Sequence, residues 1–258
     1  MLAQDALQGI SAVVTGAGSG IGRTAAVRLA ELGADVVGIG RRTEALSETR
    51  ELCPDPSRFH PRAVDVRDRE AITAVLDDVG QEMGIDSVIN SAGGQFFSPA
   101  RSISSNGWRS VMSLNLDAIF WTCSAAYPYL ANSRRGSVVN VSLSGVERGS
   151  RGLAHSIAAR SGVLGLTRTL ALEWAPQRIR LNCVAPGTVT TAALTAEGDR
   201  ATIERFIAAT PLGRATEVAE VAELISFLVS PAGSMITGQL VHLDGGAALG
   251  PGLHAIES

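Results

Sequence analysis

Lysine is absent: all 22 basic residues of this 258-residue chain are arginine. A GC-rich coding bias is one bland source of such a composition, but any chemistry that depends on a lysine amine is excluded. Aromatic residues make up 4% of the chain, and only two of them are tyrosine. No basic run stands out and the formal net charge is −3, which argues against nucleic acid and anionic membrane as partners. The three cysteines, Cys53, Cys123 and Cys183, form no close pair and no CxxC, so a disulfide framework is not expected and reduced thiols in a cytoplasmic protein are. No apolar run approaches the roughly 18 residues that span a bilayer. The opening MLAQDALQGI lacks the basic region and apolar core of a signal peptide.

What the chain does have is alternation. Short β-branched runs at 11–15, 35–39, 61–65, 86–90, 137–142, 179–184 and 239–243 read as strands. Between them, apolar-periodic stretches near 20–32, 43–52, 68–83, 108–131, 153–175 and 217–229 read as helices. Strands separated by helices of this length imply βαβ units and a parallel sheet covered on both faces, an α/β fold. No linker or repeat divides the chain, so residues 1–258 are expected to form one domain. The least regular piece, 188–212, suits a mobile lid over a site. The tail beyond Gly246, with Gly250, Pro251 and Gly252, is expected to wander over the surface or reach a neighbouring subunit.

After the first strand comes TGAGSGIG, Thr15 to Gly22, and then a helix. Gly16, Gly18, Gly20 and Gly22 in that strand–turn–helix context let the backbone approach a pyrophosphate seated on the helix N-terminus; tight turn packing without a nucleotide is the plainer alternative. The second strand ends IGRR, Ile39 to Arg42. An acid there usually holds the adenosine ribose of NAD, whereas here Gly40 is followed by two guanidiniums. Arg41 and Arg42 match a ribose 2′-phosphate in charge and geometry, which favours NADP(H), although two solvated arginines opening a helix would read the same way.

These glycines, with Asp65 in VDVRD, Asn90 in NSAGG, Asn115 in SLNLDAIF and Pro186-Gly187 in CVAPGTVTT, resemble the short-chain dehydrogenase/reductase family over nearly the whole chain. The resemblance implies a doubly wound Rossmann-type sheet in the order 3-2-1-4-5-6-7 and, frequently, a homotetramer. It implies that Asp65 holds the adenine amino group, that Asn90 supports the cofactor wall, and that Thr191 meets the nicotinamide carboxamide, with Thr188 and Thr190 nearby. It extends the cofactor set to Ser19, Ile21, Val66, Ala92, Gly93, Pro186 and Gly187.

The family's catalytic group is Asn, Ser, Tyr and Lys, the last two as Tyr-x-x-x-Lys on the helix after the fifth strand. Asn115 is present. In the register of the helix beginning near 153, the Lys place falls on Arg160, the Tyr place on Ser156 and the Ser place on Leu143. Arg160 can still hold the nicotinamide ribose but does not deprotonate. Ser156 is a far weaker acid than a phenol, and Leu143 offers no hydrogen bond. Strand alternation turns the flanking Ser142 and Ser144 away from that side unless the strand has ended. The two tyrosines, Tyr127 and Tyr129, make no such motif.

Carbonyl reduction must protonate oxygen; reduction of a C=C conjugated to a thioester need not. In the latter, hydride adds to the β-carbon and the oxygen needs only hydrogen-bond donors for its developing charge. GGQFFSPARSISSNGW (93–108), AHSIAAR (154–160) and LALEWAPQRIRLNCVAPG (170–187) resemble the peroxisomal trans-2-enoyl-CoA reductase branch, and the 2,4-dienoyl-CoA reductases are similar. That likeness implies an acyl-thioester substrate, polarised by Ser156 and Asn115, with Phe96 and Phe97 lining an acyl channel. The ending AIES carries no Ser-Lys-Leu type signal, which suits a bacterial cytoplasmic relative. His155, one position before Ser156, should face about 100° away, as a helix-entry residue with a local hydrogen bond. Two other readings stand beside this one: reduction of another carbonyl or imine with a different acid, and a silent nucleotide-binding subunit whose cavity is filled by side chains.

Overall fold

Five consecutive buried residues, Ser11 to Thr15, make the first strand. A strand buried on both faces needs cover on both, and the alternating helices supply it. The computed structural model describes residues 2–191 and 200–250. Its strands are β1 (Ser11–Thr15), β2 (Asp35–Gly40), β3 (Phe59–Ala63), β4 (Ser87–Asn90), β5 (Ser137–Val141), β6 (Arg180–Pro186) and β7 (Leu240–Leu243). They form one sheet in the order 3-2-1-4-5-6-7, every pair parallel. The helices are α1 (Gly20–Glu31), α2 (Thr43–Leu52), α3 (Arg69–Met83), α4 (Ser105–Met112), α5 (Ala118–Asn132), α6 (Ala154–Glu173), α7 (Arg200–Ala208) and α8 (Val218–Val229). Leu29 of α1 and Ile225 and Leu228 of α8 pack on one face of the sheet. Ile72 and Leu76 of α3, Ile119 of α5 and Val163 of α6 pack on the other. This is the doubly wound fold. The order reverses between β1 and β4, and the crevice beyond their carboxyl ends is where such sheets bind ligands.

Three elements differ from the sequence expectation. The third strand lies two residues earlier, because the Asp65 carboxylate accepts from the Arg67 backbone N–H and turns the chain there. The helix expected at 108–131 starts at Ser105, capped by the Ser104 hydroxyl accepting from Gly107 N, and is interrupted by a π turn at Ser113–Asp117. Residues 200–208 of the stretch read as an irregular lid are helix α7; the rest of that segment, 192–199, and the tail 251–258 with Pro251, Gly252 and the AIES ending, lie outside the described residues. Among the described residues no helix is long and apolar enough to cross a membrane.

Arg180, at the start of β6, stitches the far edge. Its guanidinium donates to the carbonyls of Leu228, Val229 and Gly233, at the C-terminal end of α8 and just beyond. A cation at that end meets orphan carbonyls and the negative pole of the helix. Arg180→Met should therefore lower the stability by about 2 kcal/mol, read as a lower urea midpoint with an unchanged slope. An unchanged midpoint would mean that water caps the helix equally well.

Candidate active site

A cavity of about 900 Å³ lies beyond the carboxyl ends of β1 and β4. The Gly-rich turn forms its floor. Gly16 has φ +71°, and a Cβ there would sit 2.8 Å from Ala92 N; a Cβ on Gly22 would sit 2.4 Å from Gly16 O. The turn is thus bare of side chains because the backbone folds onto itself and onto the β4 loop. Ser19, the residue before α1, makes no capping hydrogen bond with its side chain, and the first turn of α1 holds no acid. An uncapped helix start free of negative charge fits a pyrophosphate.

Every candidate cofactor residue except Asn90 lines this cavity, from Gly16 to Gly22 through Arg41, Arg42, Asp65, Val66, Ala92 and Gly93 to Arg160, Pro186, Gly187, Thr188 and Thr191. Asp65 is shared: its carboxylate is gripped by the Arg67 guanidinium, which, with Arg41 adding its field, holds it below the usual carboxylate range. Asn90 lies beneath the floor. Its Nδ2 donates to Asn140 Oδ1 at 2.8 Å, and Asn140 Nδ2 donates in turn to the Thr167 hydroxyl at 2.9 Å, tying β4, β5 and α6 together. The three cysteines are buried thiols, with Cys123 pushed up to about 12 by burial, so no thiolate is available at neutral pH.

At the other end of the cavity the expected catalytic residues part company. Arg160 lines it and donates through Nη1 to the Val141 carbonyl at 2.8 Å. Ser156 is fully buried and does not line it. The Ser156 hydroxyl accepts from Arg160 Nε at a long 3.4 Å and donates to Gln95 Oε1 at 2.7 Å. Asn115, 1% exposed, spends both amide atoms on one residue: Oδ1 accepts from Gly94 N at 3.0 Å and Nδ2 donates to Gly94 O at 2.7 Å. Neither Ser156 nor Asn115 lines the cavity, contrary to the expectation that both reach into it; each is instead hydrogen-bonded to the 91–95 loop.

β5 ends at Val141, so strand alternation stops there and Ser142, Leu143 and Ser144 all line the cavity. The Ser142 hydroxyl is buried without a partner among the described residues. Neither tyrosine is near. Tyr127 packs on Trp174 with ring centroids 4.9 Å apart, and Tyr129 donates to Asp77 on α3. Phe97 lines the cavity and stacks on Phe206 of α7. Phe96 does not line it; it packs edge-on against His155, centroids 4.2 Å apart. His155 is fully buried and neither ring nitrogen is hydrogen-bonded, so the expected local hydrogen bond is missing too.

Gln95 and Phe206 are among the cavity-lining residues that no motif in the sequence singles out. Gln95 stood in the quoted GGQFF as the single polar side chain between glycines and phenylalanines. Phe206 was hidden by treating 188–212 as irregular, although Ile203, Phe206 and Ile207 carry helical spacing.

A family profile described as Enoyl-(Acyl carrier protein) reductase matches residues 16–248. The chain belongs to the short-chain dehydrogenase/reductase family. Within the family it is 36% identical to the "Probable 2,4-dienoyl-CoA reductase" of Bacillus subtilis strain 168, over 93% of this chain and 96% of that one. It is 35% identical to the 3-oxoacyl-(acyl-carrier-protein) reductase FabG of Thermotoga maritima, over 94% and 99%. Carveol dehydrogenase from Mycobacterium avium in complex with NAD superposes with a TM-score of 0.87 at 29% identity, covering 95% of this chain and 99% of that one. The family's members are oxidoreductases that use a nicotinamide cofactor. A C=C reductase and a ketone reductase are thus about equally similar, and overall identity does not separate them.

Burial penalises the charged imidazole of His155 and pulls its pKa below the usual value; the Leu153 carbonyl, outside hydrogen-bond geometry, offsets this only in part. Unfolded, the same ring titrates near ~6.5. Below that pH the unfolded chain binds the extra proton, so stability is fully present above about pH 6.5 and falls as the pH drops. Urea midpoints at roughly pH 7.5 and 5.5 should therefore differ more in the wild type than in His155→Leu. Equal differences would mean that the buried ring keeps its proton.

Proposed function

We propose that this protein is a cytoplasmic NADPH-dependent reductase of the C=C bond of a trans-2-enoyl or 2,4-dienoyl thioester, such as an acyl-CoA. One observation carries the reading: no lysine exists in the chain and both of its tyrosines are engaged on the outer helices, so no phenol–ammonium pair stands beside Arg160 to protonate an alkoxide. A placed general acid is typically worth ~10²–10⁴ in rate, which makes ketone reduction a poor fit despite the likeness to FabG. The dienoyl-CoA-reductase likeness supports the thioester reading.

When bound, NADPH supplies the hydride that adds to the β-carbon; one further proton reaches the α-carbon. The chain's part is to hold and to exclude. Arg160, fixed by Val141 O, presents a permanent cation to the cofactor ribose. Leu143, Phe97 and Phe206 give the substrate end an apolar wall. Arg41 and Arg42 border the adenosine end with no acid at Gly40, which supports NADPH over NADH. The open volume speaks against a silent subunit, whose cavity need not be kept clear. Exposed Trp108, Phe120 and Leu172, on α4, α5 and α6, support burial in a homotetramer.

Purified protein should consume NADPH with a trans-2-enoyl-CoA at least ~10²-fold faster than with the matching 3-ketoacyl-CoA. NADPH binding without turnover of the enoyl substrate would sink the reading. Arg41→Ala and Arg42→Ala should together weaken NADPH binding by roughly 10- to 100-fold, the worth of lost charge-assisted hydrogen bonds, and leave NADH binding nearly unchanged. Equal weakening of both cofactors would remove the 2′-phosphate assignment.

A further inference from the structure

Among the described residues the cavity is lined by five arginines and a single acid, Asp65. Four of the arginines have a role already: Arg41 and Arg42 border the adenosine end, Arg67 grips Asp65, and Arg160 is fixed by the Val141 carbonyl. Arg148 is the fifth. It lies on the segment that follows Leu143, and its guanidinium makes no hydrogen bond or ion pair with any described residue. A purely structural arginine closes on protein acceptors, as Arg180 does on three carbonyls.

The backbone that carries Arg148 is nonetheless firmly held. Val146 is buried and its carbonyl accepts from the Ser161 hydroxyl at 3.1 Å, while Gly149 N donates to Gly145 O at 2.8 Å. The carboxylate next in sequence does not neutralise the guanidinium. Glu147 is drawn instead to His242 on β7, at 3.3 Å, and stands 4.0 Å from Arg168 on α6. On the other side, Gly250 at φ +72° leaves the space that the guanidinium takes: a Cβ there would lie 2.7 Å from Arg148 Nη1. Ser144 and Ser150 line the cavity from the same segment, and their hydroxyls too are without partners among the described residues. A solvated surface arginine needs neither the diverted carboxylate nor the bare glycine.

We propose that Arg148 is a specificity-determining residue that pairs with an anionic group on the substrate, so that the site selects acidic enoyl thioesters over neutral ones. The reaction in this assignment rests on the enoyl-thioester reading above; the charge selection rests on the cavity. A permanently charged, forked guanidinium meets two oxygens of one carboxylate or one phosphate. The apolar wall of Leu143, Phe97 and Phe206 lowers the local dielectric and strengthens the attraction. The anion has two possible sources with this one chemistry, a phosphate of the carrier or a carboxylate at the far end of the acyl chain. In either case it is remote from the C=C and is held equally in the ground and transition states, so its loss raises KM more than it lowers kcat.

Three substrates with NADPH test this: trans-2-hexenoyl-CoA, the neutral N-acetylcysteamine thioester of the same acid, and the N-acetylcysteamine monothioester of trans-2-hexenedioic acid. At least one charged substrate should surpass the neutral one in kcat/KM by about 10-fold, the worth of a charge-assisted hydrogen bond, and salt should erode the difference. Arg148→Gln should erase the preference by raising KM for the charged substrate. Arg148→Lys should restore part of it, and Arg148→Glu should reverse it. A loss confined to the CoA thioester supports the proposal with the carrier phosphate as the anion; a loss confined to the diacid supports it with the carboxylate. Equal losses with all three substrates, or a preference that survives in Arg148→Gln, overturn it. Binding of the saturated hexanoyl and adipoyl counterparts to the NADP+ complex separates the reaction from the charge. If the wild type reduces none of the three yet binds a charged counterpart more tightly through Arg148, the enoyl reading falls and the charge selection stands. If that binding preference is missing as well, both fall.

Discussion

The short loop after β4 is the constraint on which the site depends. At its start, the Thr15 hydroxyl accepts from the backbone N–H groups of Ser91 and Ala92, both at 3.1 Å, and Gly16 permits the close approach of β1 that this requires. In its middle, Gly94 is held at both N–H and carbonyl by Asn115. At its end, Gln95 is held by Ser156. Five residues are thus pinned from β1, from the π turn between α4 and α5, and from α6. The three anchors come from distant parts of the chain, so the loop's position integrates the whole parallel stack. The π turn matters here because it shifts the helix phase at the residue whose side chain must reach Gly94; such turns commonly mark functional positions.

Most of the fold was legible because burial on both faces leaves continuous apolar strands and one-sided helices, and both are local patterns. The Gly-rich cradle followed from its place between a strand and a helix, whereas the strand order came from the family resemblance. The Asp65 turn, the Ser104 cap and the π turn escaped because each rests on one or two side-chain-to-backbone hydrogen bonds that no periodicity reports. The same holds within the site. Arg41, Arg42 and Arg160 could be placed by charge and register. The partners of Asn115 and Ser156 could not, since Gly94 and Gln95 lie 21 and 61 residues away from them in sequence. Phe96 and Phe97 illustrate the limit from the other side: adjacent residues in a loop face different ways, and only Phe97 reaches the cavity.

The three departures at the catalytic positions make sense together. Serine in place of a phenol leaves room, and the Gln95 side chain reaches its hydroxyl. The forked guanidinium of Arg160 spans from the Val141 carbonyl to that hydroxyl, two acceptors that a single ammonium would meet less readily. Leucine at 143 leaves that stretch of the cavity wall without a side-chain hydrogen-bonding group. Erosion of an unused site carries no pressure to satisfy the polar groups it strands, and each buried orphan costs about 1–3 kcal/mol. Here Ser156 and Asn115, both buried, are hydrogen-bonded to the 91–95 loop, whereas the Ser142 hydroxyl and both ring nitrogens of His155 are buried without a partner among the described residues. The polar groups that hold the 91–95 loop are the satisfied ones, which is what keeping that loop in place, rather than random erosion, requires.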